Sequence, residues 1–348
     1  MKNGKFFIVL VMFWWIVTPN LFANDNILNI YTWAGYLPDS VIQAFEAETG
    51  IQVNHSTYVN NEVLYAKLKA NPDVGYDVVI PSTYFISRMV KQDMLQKIDK
   101  SKLFLLKNID PVFLNKEHDP ENEYGVPYLW NSTGIAVNTR YHSKESVLAW
   151  RDLWNSRYKN QLLMLDDARE IFAVALLTLG YSVNETNPVH IQSAFLKLQA
   201  LMDNIKLFNL DAQRSIYLDE DITLGMGWNG DIFIAKQENS NLAFIYPTEG
   251  YIVALDCVAI PKGAKHVEAA HRFIDFILRG SVAKEISEST GFSTPNIVGR
   301  GLLPDNIRND EILYPNAEIL KRAHLLTDVG ELAPLYEKYY ELLKLETR

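Results

Sequence analysis

The chain has 348 residues, enough for two domains of ordinary size, and its 48% hydrophobic and 22% charged content excludes a disordered polypeptide. A formal charge of -9 argues against nucleic-acid binding and fits a neutral or cationic small ligand. The single cysteine, Cys257, excludes an internal disulfide and a multi-cysteine metal site.

Residues 1–23 read as a secretory signal peptide: Lys2 and Lys5 precede an apolar run from Phe6 to Val17, Thr18-Pro19-Asn20 breaks it, and Ala23 offers a small residue for cleavage. The run is short for a bilayer span, and no cysteine follows it to carry a lipid. Export without an anchor, into a periplasm, is the expectation.

The first strand is expected at 27–33. Pro38 and Asp39 open a helix with Val41, Ile42 and Phe45 on one face, and Gly50 closes it. A second strand over 51–58 leads to a helix from Asn61, with Val63, Leu64, Ala66 and Leu68 as its apolar positions. Tyr76 to Pro81 is a nearly continuous apolar strand of the kind covered on both faces. The alternation of strands and helices predicts an open α/β sheet. A loop over 110–125 precedes a long extended stretch, 126–137. A second α/β block follows, with strands at 161–165, 205–208, 221–228 and 242–246 and helices at 168–179, 188–203 and 231–237. Another extended run, 251–260, leads to helices at 265–279, 280–289, 315–325 and 332–345.

Two long extended segments therefore bracket a middle block. A chain that leaves one lobe, builds a second and returns would look like this. The expected fold is α/β with two lobes, 27–132 plus 255–300 and 133–254 plus 301–348, hinged on crossing strands around a cleft. One large sheet is the alternative.

Asp166-Asp167-Ala168-Arg169-Glu170 lies between an apolar strand and a helix. Asp167 is placed to cap that helix, with Glu170 at capping-box spacing; alternatively, both carboxylates line a cleft. The seven histidines form no HExxH pattern or carboxylate cluster, and there is no P-loop or GxSxG elbow, so neither a metal, a cofactor nor an enzyme active site is expected. Gly225 to Gly230 fits GxGxxG formally, but Trp228 occupies the place where a pyrophosphate would approach. Trp33, Tyr36, Ser82, Tyr84, Asp167, Glu170 and Trp228 all follow predicted strands, and Asp256 lies in a later extended run. Ligands of open α/β sheets sit beyond the carboxyl ends of strands. Carboxylates and flat rings together suit a linear ammonium ligand.

Over nearly all of its length beyond the leader, the sequence resembles the periplasmic spermidine/putrescine-binding proteins of polyamine ABC transporters. The resemblance is carried by Val78-Val79-Ile80-Pro81-Ser82-Thr83-Tyr84, Asp166-Asp167-Ala168-Arg169-Glu170, Gly227-Trp228-Asn229-Gly230 and Thr294-Pro295-Asn296, in that order. It implies capture of putrescine or spermidine between two lobes and delivery to permease subunits by a monomer. Trp33, Tyr36, Tyr84 and Trp228 would box the methylene chain, Ser82 would hydrogen-bond near one end, and Asp167, Glu170 and Asp256 would meet ammonium groups. The sequence departs from that pattern at Ala34, Gly35, Ala254, Phe292 and Leu326, where the family carries polar, acidic or larger aromatic groups. These positions are expected to line a roomier cleft with one less polar end and three carboxylates. Binding of another organic cation, and a sensory role, are the alternatives.

Overall fold

The computed structural model describes residues 26–346; the leader expected over 1–23 lies outside the described residues. Strand β1 (Ile27–Trp33) is followed by α1 (Asp39–Thr49), β2 (Gln52–Tyr58), α2 (Asn61–Ala70), β3 (Val78–Val79) and α3 (Thr83–Lys91). These strands form a parallel sheet in the order β2-β1-β3. Gly50 ends α1 in the left-handed conformation that its lack of a Cβ permits, and its N–H closes on the Glu46 carbonyl. In α2, Asn61, Leu64 and Leu68 turn inward at helical spacing. Val63 and Ala66, expected on that face, fall outside the stripe and are exposed.

The long strand β4 (Val126–Asn138) starts the second block, and every residue in it is buried. It is followed by β5 (Leu162–Met164), α4 (Ala168–Thr178), α5 (Pro188–Gln199), β6 (Ile205–Phe208), α6 (Gln213–Leu218), β7 (Leu224–Trp228), α7 (Asn229–Glu238), β8 (Leu242–Ile245) and β9 (Tyr251–Val258). The remainder is α8 (Val267–Ile277), α9 (Gly280–Thr290), α10 (Ile297–Leu302), α11 (Asp305–Arg308), α12 (Ala317–Leu320), β10 (Ala323–Leu325) and α13 (Ala333–Glu346). The second sheet runs β10-β9-β4-β7-β5-β6, with β8 also paired to β4.

Strands β4 and β9 pair antiparallel from Val126–Val258 to Thr133–Ile252. At its far end β9 also bridges to the first sheet, through Val79–Ala259 and Ser82–Asp256. The β9 segment, paired along β4, thus reaches from the second sheet to the edge of the first, and the fold has two α/β lobes joined by crossing strands.

Several elements differ from the sequence expectation. The helix expected over 315–325 is the single turn of α12 followed by β10, because 323–325 pair in parallel with Tyr251–Val253 and complete the sheet edge. The strand expected from Asp221 begins at Leu224, and the helix expected over 188–203 ends at Gln199. Helices α6, α10 and α11 are short and carry too little periodicity to read.

The glycine-rich turn serves packing. A Cβ on Gly225, whose φ is +154°, would lie 2.2 Å from the Leu163 carbonyl oxygen, and one on Gly230 would lie 2.4 Å from the Phe292 ring. Close approach of β7 to β5, and of α7 to Phe292, is what these glycines permit. Gly225→Ala is expected to destabilise the fold by at least about 1–3 kcal/mol, through overpacking against backbone that cannot rotate away; denaturant unfolding measures it.

Candidate ligand-binding cleft

The strands deliver their carboxyl ends to one place. Trp33, Ala34 and Tyr36 follow β1; Tyr58, Val59 and Asn61 follow β2; Ser82 and Tyr84 follow β3. From the other lobe come Asp167 and Glu170 after β5, Leu210 and Asp211 after β6, Trp228 and Asp231 after β7, and Leu326 after β10. Asn131 of β4, Ala254 and Asp256 of β9, and Phe292 complete the lining of a cavity of about 110 Å³. A buried water occupies about 10–15 Å³ on this scale, so the space equals roughly seven to eleven waters.

Of the residues expected here, Trp33, Ala34, Tyr36, Ser82, Tyr84, Asp167, Glu170, Trp228, Ala254, Asp256, Phe292 and Leu326 line the cavity. Gly35 does not; it forms the turn after β1 with φ +73°. The sequence expectation missed Tyr58, Asn61 and Asp211, which the same strand-end rule reaches, and Asp231, three residues beyond Trp228. Asn131 stands mid-strand and carries no sequence signal.

Each carboxylate is held differently. Asp256 is 2% exposed and accepts hydrogen bonds from Tyr36 (2.8 Å) and Ser82 (2.6 Å). The Asn61 amide in turn donates to Ser82 Oγ (3.1 Å) and to the Tyr84 hydroxyl (3.0 Å). Burial raises Asp256 to about 6, and these hydrogen bonds oppose it.

Asp167 resolves the ambiguity of its motif by doing both things. Its Oδ1 caps α4, accepting from the Glu170 N–H at 2.9 Å, while the residue lines the cavity. Glu170 does not complete a capping box; it accepts from the Thr133 hydroxyl and from Trp228 Nε1 (3.0 Å). Burial first, and the neighbouring Asp167 second, push Glu170 well above the carboxylate range. Burial raises Asp167, and the intervening Arg169 opposes this by its charge but makes no ion pair with either acid. Its guanidinium donates to the Thr327 and Val183 carbonyls and to Asn184, and it stacks on Tyr336.

Asp211 is exposed at the mouth and Asp231 is half-buried. Asp231 is the third residue of α7, where an acid ordinarily reaches back to the capping N–H. That N–H, of Trp228, is already bound by Gln213 Oε1 at 2.9 Å. The cavity therefore holds five carboxylates and no lysine, arginine or histidine. Asp211 and Asp231 add two carboxylates to the three expected here.

Rings wall the space between these acids. Trp33 and Trp228, from opposite lobes, approach to 6.4 Å edge to face, and Phe292 lies 5.3 Å from Tyr36 and 6.4 Å from Trp228. Trp33 is anchored by its Nε1 to the Ile80 carbonyl at 3.0 Å. The Asn131 Oδ1 atom is buried and without a hydrogen-bond partner among the described residues, leaving an acceptor at the cavity.

Two lobes joined by crossing strands around one buried cavity define a protein that encloses a small solute. The comparisons agree. The chain belongs to the bacterial extracellular solute-binding protein family, whose pattern matches residues 40–299. It is 46% identical over 323 residues to the spermidine/putrescine-binding periplasmic protein of Salmonella typhimurium, covering 92% of this chain and 93% of that one. It is 32% identical to the putrescine-binding periplasmic protein PotF of Escherichia coli K12, over 88% of this chain and 87% of that one. A solved spermidine/putrescine ABC transporter substrate-binding protein of Streptococcus pneumoniae superposes with a TM-score of 0.80 at 33% identity, covering 93% of this chain and 100% of that one.

Burial raises Asp231 to about 7 from an ordinary 3.8. The ligand-free fold therefore keeps a proton that the unfolded chain releases. The stability this contributes is complete below about pH 4 and is lost as pH rises through 7. Asp231→Asn is accordingly expected to raise the ligand-free Tm by roughly 2–4 °C at pH 8 and by only about a third of that at pH 5; scanning calorimetry at the two pH values checks this.

Proposed function

We propose that this protein captures putrescine or spermidine in the interlobe cavity and delivers it to the permease subunits of an ABC transporter, acting as a monomer in the periplasm. The observation that carries this reading is the charge of the lining: five carboxylates, aromatic walls and no cationic side chain. Such a lining repels anions and gains nothing from a neutral solute, whereas a diammonium or triammonium chain neutralises it. Asp256 and Asp231 would meet ammonium groups on the Tyr36 side, with Asn131 Oδ1 as a further acceptor. Asp167 and Glu170 would meet them on the other. Trp33, Trp228, Tyr36, Tyr84 and Phe292 would cover the methylenes, each cation–π contact adding about 0.5–2 kcal/mol.

The cavity's size supports a chain of diamine to triamine length. The relatives' names point the same way; with lobes divided at 27–132 plus 255–300 and 133–254 plus 301–348, the acids after β5–β7 would stand opposite Asp256. Ala254 puts only a methyl group on its wall of the cavity. That single feature favours a second reading, a bulkier organic cation at the same acids.

Because the acids at 2–8% exposure cannot be reached from outside, the lobes must part to admit the ligand. Emptied of a cation, the desolvated carboxylates repel one another and favour the parted form; an ammonium reverses that balance.

Titration calorimetry with putrescine, cadaverine, spermidine and spermine tests the reading. Binding of putrescine or spermidine is expected; no heat from any of the four would overturn it. Affinity is expected to rise from pH 5 to pH 7.5, as Asp256 and Asp231 lose the protons they hold near 6 and 7. Asp256→Asn is expected to weaken binding by about 2–5 kcal/mol, since a desolvated ammonium loses its counter-charge. Trp228→Ala should weaken binding with little loss of Tm; a collapse of Tm would assign Trp228 to the core instead.

A further inference from the structure

Helix α3 and the segment after β10 belong to different lobes, and each touches the cavity. Ser82 and Tyr84 stand at the start of α3, and Leu326 follows β10. One to two turns beyond Tyr84, α3 presents Arg88 and Lys91, and two residues beyond Leu326 stands Asp328. These groups meet. Lys91 Nζ lies 2.9 Å from Asp328 Oδ2, and Arg88 Nε lies 3.6 Å from Asp328 Oδ1. The Asp328 side chain is 4% exposed and that of Arg88 15%, whereas Lys91 reaches out into solvent.

We propose that Arg88, Lys91 and Asp328 form a charge latch that holds the lobes together over a bound ligand, making Asp328 a positioning residue for capture although it does not line the cavity. This rests on the proposed ligand-binding role of the cleft.

Three observations support it. First, the latch partners ride on the same elements as Ser82, Tyr84 and Leu326, so parting the lobes at the cavity must pull Asp328 from its cations. Second, the seam beside the latch brings acids of the two lobes face to face. Glu62 of α2 faces Asp167 and Glu337 from the other lobe, and burial first, then these acids, raise it well above its ordinary range. Arg88 is the cation that opposes this, so it offsets acids on both sides of the seam. Third, the local alternative for Asp328 is separable. Its Oδ1 also accepts from the Gly330 N–H at 3.1 Å, a turn that asparagine makes equally well. Asp328→Asn therefore removes the charge and keeps the turn. The pair is only partly shielded from water when the lobes part, so the latch is expected to tune the closed population rather than to be essential for folding.

The test compares wild type, Asp328→Asn, Arg88→Gln and the double variant by calorimetry and by stopped-flow fluorescence of Trp33 and Trp228, with putrescine and spermidine as probes. Asp328→Asn should lower affinity about 5- to 30-fold, through faster release rather than slower capture. Its ligand-free Tm should stay near that of wild type, and the double variant should lose less than the sum of the single losses, because the Arg88–Asp328 contact is removed in both. Unchanged release from Asp328→Asn, or additive losses in the double variant, would overturn the latch and leave the polyamine reading standing. If wild type binds neither amine, the polyamine reading falls. Small-angle scattering of the ligand-free proteins then decides the latch: a larger mean radius of gyration for Asp328→Asn supports it, and equal radii overturn it.

Discussion

The constraint on which the structure depends is the cost of keeping carboxylates out of water without a cation. Asp167, Glu170 and Asp256 are each less than a tenth exposed, and Asp231 is half-buried beside them. A folded protein ordinarily pairs such groups with lysine or arginine. Here the nearest arginine, Arg169, is spent on backbone carbonyls and an asparagine. The hydroxyls of Tyr36, Ser82 and Thr133 and the Trp228 indole meet the acids as neutral donors. They satisfy geometry without supplying charge. The site is stable enough to form and remains electrostatically incomplete, which is what a reversible cation receptor requires.

The fold meets this constraint by confining it to the seam between lobes. Both sheets turn the carboxyl ends of their parallel strands toward the seam, so the first lobe contributes rings and polar groups there and the second contributes acids and Trp228. The crossing strands add the rest by alternation. On β9, Ala254 and Asp256 face the cavity, while Val253 and Leu255 line an apolar groove on the opposite side with Trp130 of β4. Supporting residues fix this arrangement without touching the cavity. Asn229 pins Ser132 and the Ile312 carbonyl, and Asn296 caps α10 while holding the Leu278 carbonyl. The motifs Gly227-Trp228-Asn229-Gly230 and Thr294-Pro295-Asn296 thus mix one cavity-facing ring with several structural anchors.

Seam electrostatics also link binding to motion. The acids inside the cavity and Glu62 at its edge oppose closure, and the Asp328 contact with Arg88 and Lys91 favours it. A ligand that supplies positive charge inside shifts that balance without any change in the latch itself. The two contributions are separated in space, so each can be altered by substitution while the other is kept.

Much of this was already present in the chain's order of residues. Strand–helix alternation, the Gly50 stop, the long runs that become β4 and β9, and the strand-end positions of Trp33, Ser82, Asp167 and Trp228 follow from local periodicity and capping, because hydrophobic pattern and turn chemistry act within a few residues. Three things needed the folded chain. Residues 323–325 became a strand only because β9 offered an edge. Asn131 became a cavity acceptor because β4 was turned that way by its partners. Asp231 became a free acid because Gln213, distant along the helix-and-strand path, took the N–H it would otherwise have bound. Those outcomes depend on which distant groups compete for the same hydrogen bond or sheet edge, and no local stretch of sequence carries that information.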